Sequence, residues 1–358
     1  MLGLDREKSV VGLDIGSYAI KAVELKSKKK FSEESYEVKK IGYKSLPHDS
    51  IVEGSIIDSN VVVESIKDIF YENKISNKNV AISISGNSVI IKKISLPPMD
   101  ADELAESIVW EAKHNIPYPY EETNMDYAIL KPAKPSGDKN LDILLVAAKK
   151  DKIANYSNVI NQANMNLNAI EVDVFALQSA LEVNYPEIFS EKTAVIINLG
   201  ANITNVTISE QGIPQLFRDL SIGGYLFTEN ISKDLSISFT DAEKLLKNMP
   251  TEGESAAQLQ EALNRNIQNL LEEIEKTFSF YDSREKAQKK IDFIFLSGGL
   301  SRVKDMPTYF EKKFNIKTEI LNPFQKIAFD EKKHEFIIKQ ELTALFGVAT
   351  GLAIRKKQ

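Results

Sequence analysis

The sequence contains no cysteine. That excludes a disulfide framework, a thiolate-held zinc or iron–sulfur centre and a thiol nucleophile. Histidine is nearly as scarce. His48, His114 and His334 lie far apart and share no ligand spacing, so a metal site built on histidine pairs is not expected. No apolar run approaches the roughly 20 residues that a membrane-spanning helix needs; the longest, such as Leu141 to Ala148, are far shorter. The first residues, Met1-Leu2-Gly3-Leu4-Asp5-Arg6-Glu7-Lys8, carry charge where a secretory leader would be apolar. A cytoplasmic protein is therefore expected, reaching a membrane only through something else. An excess of positive charge is missing too. Lysine and arginine number 45 against 51 acidic residues, a net charge of −6, which argues against non-specific nucleic-acid binding.

What remains is ordinary globular composition, with 43% apolar and 27% charged residues. At 358 residues the chain has length for about two domains. Its pattern supports an internal duplication. Ser9 to Lys26 is apolar and β-rich around a break at Gly16-Ser17, and reads as two strands joined by a tight turn; a third strand follows near Tyr36 to Ser45. Val61 to Tyr71 has helical spacing, and Val80 to Ser85 alternates as a strand. Thr193 to Ser209 repeats the opening phrase. An apolar strand leads to Asn198-Leu199-Gly200, a second strand runs Thr204 to Ser209, and a third runs Pro214 to Leu220. Ile222-Gly223-Gly224 opens a helix, and Ile291 to Leu296 forms a late strand.

Two segments interrupt this scheme. Residues 87–166 hold Leu96-Pro97-Pro98, a helix from about Ala101 to His114, a Pro117-Tyr118-Pro119 break and a strand from Leu141 to Ala148. They are too long for a simple connection and read as an inserted subdomain. Residues 235–290 are helical, and Leu259, Leu263, Ile267, Leu270, Leu271, Ile274 and Phe278 mark one buried face. Lys131 to Lys139 reads as an exposed loop. The expected organisation is a first core of 1–86 plus 167–190 with the insert 87–166, and a second core of 191–234 plus 291–358 with the helical insert 235–290.

Three glycine turns carry the chemistry. In Asp14-Ile15-Gly16-Ser17-Tyr18, with Lys21 in the returning strand, a glycine between strands lets backbone N–H groups approach an anion. Asp14 can hold a magnesium ion through water, and Ser17 can donate to a phosphate oxygen. Asn198-Leu199-Gly200-Ala201-Asn202 repeats that geometry in the second half. Leu296-Ser297-Gly298-Gly299-Leu300-Ser301 runs a strand into a double glycine and then a helix. Such a turn lets a flat ring lie on backbone, and a helix N-terminus suits phosphate or ribose oxygens. Each turn alone is common; their order along one chain is not.

Together they resemble the actin-like ATPase superfamily, which includes actin, sugar kinases, the seventy-kilodalton heat-shock chaperones, and the bacterial MreB and FtsA families. The resemblance spans nearly the whole chain. It implies an α/β chain of two ribonuclease-H-like lobes around a nucleotide cleft, with inserted subdomains. It also implies ATP and Mg²⁺ as cofactors. By the same resemblance Gly223 and Gly224 approach the phosphates, Glu243, Lys244 or Lys247 reach the ribose or base, and Gly16, Ser17, Tyr18, Lys21, Asn198, Gly200, Ala201, Asn202, Gly298, Gly299 and Ser301 complete the nucleotide site. The C-terminal helix with Gly347, Ala349 and Gly351 looks like the families' connector between lobes.

The insert's position, Leu96-Pro97-Pro98-Met99, Ile116-Pro117-Tyr118 and the opening Val11-Gly12-Leu13-Asp14-Ile15-Gly16-Ser17 resemble the PilM family of type IV pilus assembly. That likeness implies an adaptor on the cytoplasmic face of the inner membrane. It would capture the N-terminal tail of a bitopic PilN-like protein, without inserting in the membrane or binding nucleic acid. Actin-like lobes often polymerise, which leaves self-association open. Where the superfamily usually has aspartate, this chain has Asn198, which cannot act as a base or add charge for Mg²⁺. ATP binding with slow or negligible hydrolysis is expected. Two alternatives remain, an FtsA-like division protein and an actin-fold small-molecule kinase. The first expects a linker and an amphipathic membrane helix beyond Ile354, and the second a catalytic aspartate base beside a polar pocket.

Overall fold

The computed structural model describes residues 9–30, 33–130, 140–247, 254–284, 290–339 and 341–355. The loop expected at Lys131 to Lys139 lies outside them. Compactness divides the chain into two units, one of residues 1–180, 210–215 and 348–358, the other of 181–209 and 216–347.

The first unit opens with β1 (Val11–Ile15), β2 (Ala19–Lys30) and β3 (Glu33–Ser45), then a small hairpin of β4 (Ile51–Val52) and β5 (Ser55–Ile56). Helix α1 (Ser59–Glu72) leads to β6 (Asn79–Ile84), and the expected insert follows as β7 (Val89–Leu96), α2 (Ala101–Asn115), β8 (Thr123–Ile129) and β9 (Leu141–Lys149). Then come α3 (Lys150–Gln162), β10 (Asn166–Val172) and α4 (Asp173–Asn184). The main sheet has the order β10-β6-β1-β2-β3, with β1 antiparallel to β2 and parallel to β6. Its core joins Val11, Leu13 and Ile15 of β1 to Val62, Ile66 and Ile69 of α1 and Tyr156, Val159 and Ile160 of α3. The start of α1 is set by Asp58, whose carboxylate accepts from the Val61 N–H at 3.1 Å.

The insert has a core of its own. Its sheet, β7-β9-β8, buries Ile143, Leu145 and Ala147 against Leu104, Ile108 and Ala112 of α2. Asp100 caps α2 through the N–H groups of Asp102 and Glu103, while Lys113 and His114 sit in its last turn, charges that suit the helix dipole at both ends. Trp110, for which spacing suggests core packing or partial exposure and, as the alternative, lining of a partner groove, is 59% exposed on the far side of α2 and lies against His114 at 4.1 Å between ring centroids.

The second half of the chain runs α5 (Pro186–Glu191), β11 (Thr193–Leu199), β12 (Thr204–Glu210), β13 (Ile213–Leu220), α6 (Gly224–Leu235), α7 (Phe239–Lys247), α8 (Glu254–Arg284), β14 (Phe293–Ser297), α9 (Met306–Phe314), β15 (Lys317–Ile320) and α10 (Glu335–Lys339). Its sheet order, β13-β12-β11-β14-β15, is that of the first unit: a three-strand meander, then a fourth and fifth strand on the other side of the first. β14 is parallel to β11 and to β15. The duplication read from the sequence is thus a duplication of topology. The apolar stripe of α8 is buried throughout, but it serves two cores. Leu259 packs with Ile231 and Ala242 in a helical cluster, whereas Leu263 to Phe278 cover the sheet. A 31-residue helix spans about 46 Å at 1.5 Å per residue, and different turns of it enter the two clusters.

The last helix, α11 (Gly347–Ile354), packs in the first unit at backbone distance. A Cβ on Gly351 would lie 1.7 Å from the Ala176 carbonyl oxygen, and one on Gly12 would lie 1.9 Å from that of Ala349. Just beyond α11, Arg355 pairs with Glu171 of β10 at 2.6 Å. These contacts predict that Gly351→Val costs about 1–3 kcal/mol or more through overpacking and lowers the melting temperature by several degrees. Gly299→Ala, whose new methyl would meet only Leu345 at 3.6 Å, should leave it within about 0.5 kcal/mol. Paired thermal melts of the two variants check this.

Candidate functional site

In the first unit, β1 and β2 pair so that Asp14 stands opposite Lys21 and Ile15 opposite Ile20, leaving Gly16, Ser17 and Tyr18 as the turn. The turn is closed by the Gly16 N–H, which donates to the Ala19 carbonyl at 3.2 Å. Lys21 Nζ lies 2.8 Å from an Asp14 carboxylate oxygen and 3.2 Å from the same Ala19 carbonyl. A Cβ on Gly16 would sit 2.9 Å from that Nζ, so the bare glycine is what lets the lysine fold over the turn. The residues expected to act from this half, Asp14, Gly16, Ser17, Tyr18 and Lys21, therefore meet at one hairpin end; Ser17 and Tyr18 are half-buried there.

Asp14 is 8% exposed. Burial holds its carboxyl above the usual carboxylate range; Lys21 opposes that displacement and the negative charge of Asp173 adds to it. Asp173 is the first residue of α4, just beyond the end of β10. Sequence reasoning missed it, since the only signal was an acidic residue at a strand-to-helix junction. Burial, with Asp173 and Asp14, also pushes the Tyr156 hydroxyl well above its ordinary range, and that hydroxyl donates to the Gly54 carbonyl at 3.0 Å.

In the second unit, three separate segments meet. The Gly200 N–H donates to the carbonyls of Asn198 and Ile203, both at 3.1 Å, which closes the β11–β12 turn. The first N–H groups of α6, from Gly224 and Tyr225, donate to the Gly200 and Ala201 carbonyls at 2.9 and 2.8 Å. A Cβ on Gly223 would stand 2.4 Å from the Ala201 oxygen and 2.6 Å from the Asn202 carbonyl carbon. Gly298, at φ +84°, comes in from β14; a Cβ there would lie 2.5 Å from the Leu199 oxygen and 2.7 Å from Asn198 Oδ1. Both the left-handed conformation and the approach demand glycine. Asn198, Gly200, Ala201, Asn202, Gly223, Gly224 and Gly298 thus form one cluster.

Other expected residues stand differently. Gly298-Gly299 enters a single 3₁₀ turn, Gly299–Arg302, and not directly a long helix. The next helix, α9, waits until Met306, after Asp305 at φ +60° and with Pro307, which favours helix starts, in its first turn. Ser301 is fully buried and donates to the Gly298 carbonyl at 2.6 Å, so it holds the turn from within. On α7, Glu243 pairs with Lys247 at 3.2 Å and the exposed Lys244 with Asp241 at 3.3 Å. These ion pairs run along the helix itself.

One polar chain was not foreseen. Asn198 Nδ2 donates to Asn205 Oδ1 at 3.2 Å, and Asn205 Nδ2 donates to Asp219 Oδ1 at 2.7 Å. Asn205 is 3% exposed, inside a strand in which it was one polar residue among several.

A family model for the type IV pilus assembly protein PilM matches residues 12–357. The chain belongs to the PilM family. Among solved structures it is similar to a PilM–PilN type IV pilus biogenesis complex, with TM-score 0.84 and 23% identity, covering 98% of each chain. It is also similar to the ethanolamine utilization protein EutJ of Carboxydothermus hydrogenoformans, with TM-score 0.57 and 12% identity over 96% of this chain and 89% of that one. A third is MreB5 of Spiroplasma citri bound to ADP, with TM-score 0.51 and 13% identity over 96% and 94%. The actin-like ATPase fold implied by the sequence is the fold of this chain. Among the described residues no helix is long and apolar enough to cross a membrane.

The raised Asp14 has a testable sign. Its folded value lies above the ordinary 3.8, so the folded chain holds a proton that the unfolded chain has released, and stability falls as pH rises through that window. The melting temperature of the natural chain minus that of Asp14→Asn should therefore grow more positive, by a few degrees, as pH is lowered from 7 towards 4. A flat or falling difference in scans across that range would show that burial does not govern Asp14.

Proposed function

We infer that this PilM-family chain is an ATP-binding adaptor of the type IV pilus inner-membrane platform that captures the N-terminal tail of a PilN-like partner. The observation that carries the nucleotide half is the meeting of Gly200, Gly223 and Gly298 around Asn198, matched by the Asp14–Lys21 hairpin at the equivalent place of the first sheet. Backbone bared by glycine lets phosphate oxygens and a flat ring come close, while the N–H groups of Gly16, Gly200, Gly224 and Tyr225 are already paired within the turns. Tyr18, Ser17 and Lys21 would serve the phosphates from the first hairpin, Gly299 the base, and Glu243, Lys244 and Lys247 the ribose, for which their mutual ion pairs would have to open. Ser301 would support the Gly298 turn.

The donor set fits Mg²⁺ held through water. Among the described residues no group of three or more His, Asp or Glu gathers to ligate a metal directly. Asp14 keeps one carboxylate oxygen on Lys21, which suits outer-sphere contact with a hydrated ion that phosphate oxygens bind directly. Such an ion would neutralise charge on the phosphates. Asn198 supplies neither a base nor charge, so nucleotide stabilises the fold and turnover is slow or negligible.

The partner half is supported by family membership and by the likeness to a solved complex of PilM with PilN. Localisation follows from it: cytoplasmic, at the inner membrane through the partner. Two measurements test the reading. Millimolar Mg·ATP should raise the melting temperature by several degrees, about 2.7 kcal/mol at a hundredfold excess over Kd, with phosphate release barely above background; no shift would overturn the nucleotide half, and brisk turnover abolished by Asn198→Ala would overturn the inactivity. Pull-down from membranes should recover a bitopic pilus-assembly protein, and recovery of division proteins in its place would overturn the adaptor.

A further inference from the structure

The Asn198–Asn205–Asp219 chain has a direction that its chemistry fixes. Asp219 is exposed, and a carboxylate only accepts hydrogen bonds. Asn205 must turn its NH₂ towards Asp219, as it does at 2.7 Å. Its amide oxygen is then left facing Asn198, which must turn its own NH₂ inward, as it does at 3.2 Å. Asn198 Oδ1 is thereby placed on the Gly298 side, 2.7 Å from where a Cβ on that glycine would stand. An asparagine otherwise able to offer either end is held with its oxygen towards the Gly298 turn, and Asn205 is only 3% exposed.

We propose that Asn205 and Asp219 are positioning residues that fix Asn198 as a hydrogen-bond acceptor, so that it receives a water of hydrated Mg²⁺ and not a phosphate oxygen. The relay stands on this chain's own hydrogen bonds; the identity of the donor it receives rests on the nucleotide reading above. An outward NH₂ would suit phosphate, whereas an outward oxygen meets phosphate oxygens with repulsion and a metal-bound water with attraction. The arrangement gives a neutral residue half of what an aspartate offers there.

The relay also explains why aspartate does not fit at this position. The carboxylate introduced by Asn198→Asp would face Asn205 Oδ1, and turning Asn205 round would set that oxygen against Asp219. One link must break. Combining Asn198→Asp with Asp219→Asn lets the chain run backwards: the new amide donates to Asn205 Oδ1, and Asn205 Nδ2 donates to the new carboxylate. Without nucleotide, Asn198→Asp should therefore lower the melting temperature by several degrees, Asp219→Asn should change it little, and the double variant should regain most of the loss. Additive effects, with no recovery, would overturn the relay.

The ligand side is read as the ratio of Kd for ATP in EDTA to Kd for ATP with Mg²⁺. Asp219→Asn and the uncharged Asn205→Leu should each reduce that ratio roughly five- to tenfold, the worth of one ordinary hydrogen bond. If only Asp219→Asn reduces it, bulk charge and not amide direction is at work, and the proposal falls; circular dichroism of Asn205→Leu shows whether it folds, and Asn205→Asp, which repels Asp219, replaces it if not. Absence of ATP binding under both conditions would instead overturn the nucleotide reading and the magnesium role with it, while the nucleotide-free melts still decide the relay.

Discussion

Backbone-to-backbone approach is the constraint on which this protein's second unit rests. The strand end at Leu199, the loop at Ala201 and the strand exit at Gly298 come so close that no Cβ fits on Gly223 or Gly298. Carbonyl and amide groups that would otherwise be stranded in such a place are paired with one another. Gly200 and Ala201 accept from the first turn of α6, and Gly298 accepts from Ser301. The result is a stretch of bare main chain fixed by its own hydrogen bonds. The same device recurs in the first unit, where Gly12 and Gly351 bring α11 against β1 and α4.

Charge is handled differently in the two hairpins that open the two sheets. In the first, a nearly buried carboxylate is kept tolerable by Lys21, and its neighbour Asp173 makes it harder to ionise. In the second, the corresponding strand end carries an amide, and the carboxylate of that region, Asp219, stands outside at the end of a two-amide chain. Removing charge from the inner position avoids the desolvation penalty that an unpaired buried aspartate would bring. It also removes the group that would polarise an attacking water.

Much of the architecture was legible from residue patterns. The α8 stripe, the β1–β2 hairpin around Gly16 and the repeated strand phrase appear where spacing put them, because period-3.6 and period-2 burial leave a local trace. Other features left none. That α8 divides its stripe between two cores depends on what lies beneath it, and no spacing records that. The delay of α9 behind a 3₁₀ turn follows from Asp305 and Pro307 acting together, whereas the double glycine alone suggested an immediate helix. Trp110 lies outside because α2 turns Leu104, Ile108 and Ala112 inward, and a tryptophan carries no sign of which face it will occupy.

The order of glycine turns, the acid and lysine spaced across a hairpin, the missing aspartate and the absence of cysteine are properties of the chain as written, and they suffice for the family and for the turns of the candidate site. Which residues attend those turns was decided in three dimensions. Asp173 bears on Asp14 from a distant helix start, Ser301 turns inward, and Asn205 links Asn198 to an exposed carboxylate. Hydrogen-bond direction and buried charge depend on neighbours that share a place but no stretch of sequence. Local pattern therefore names the backbone elements, and only packing assigns an amide the end it presents.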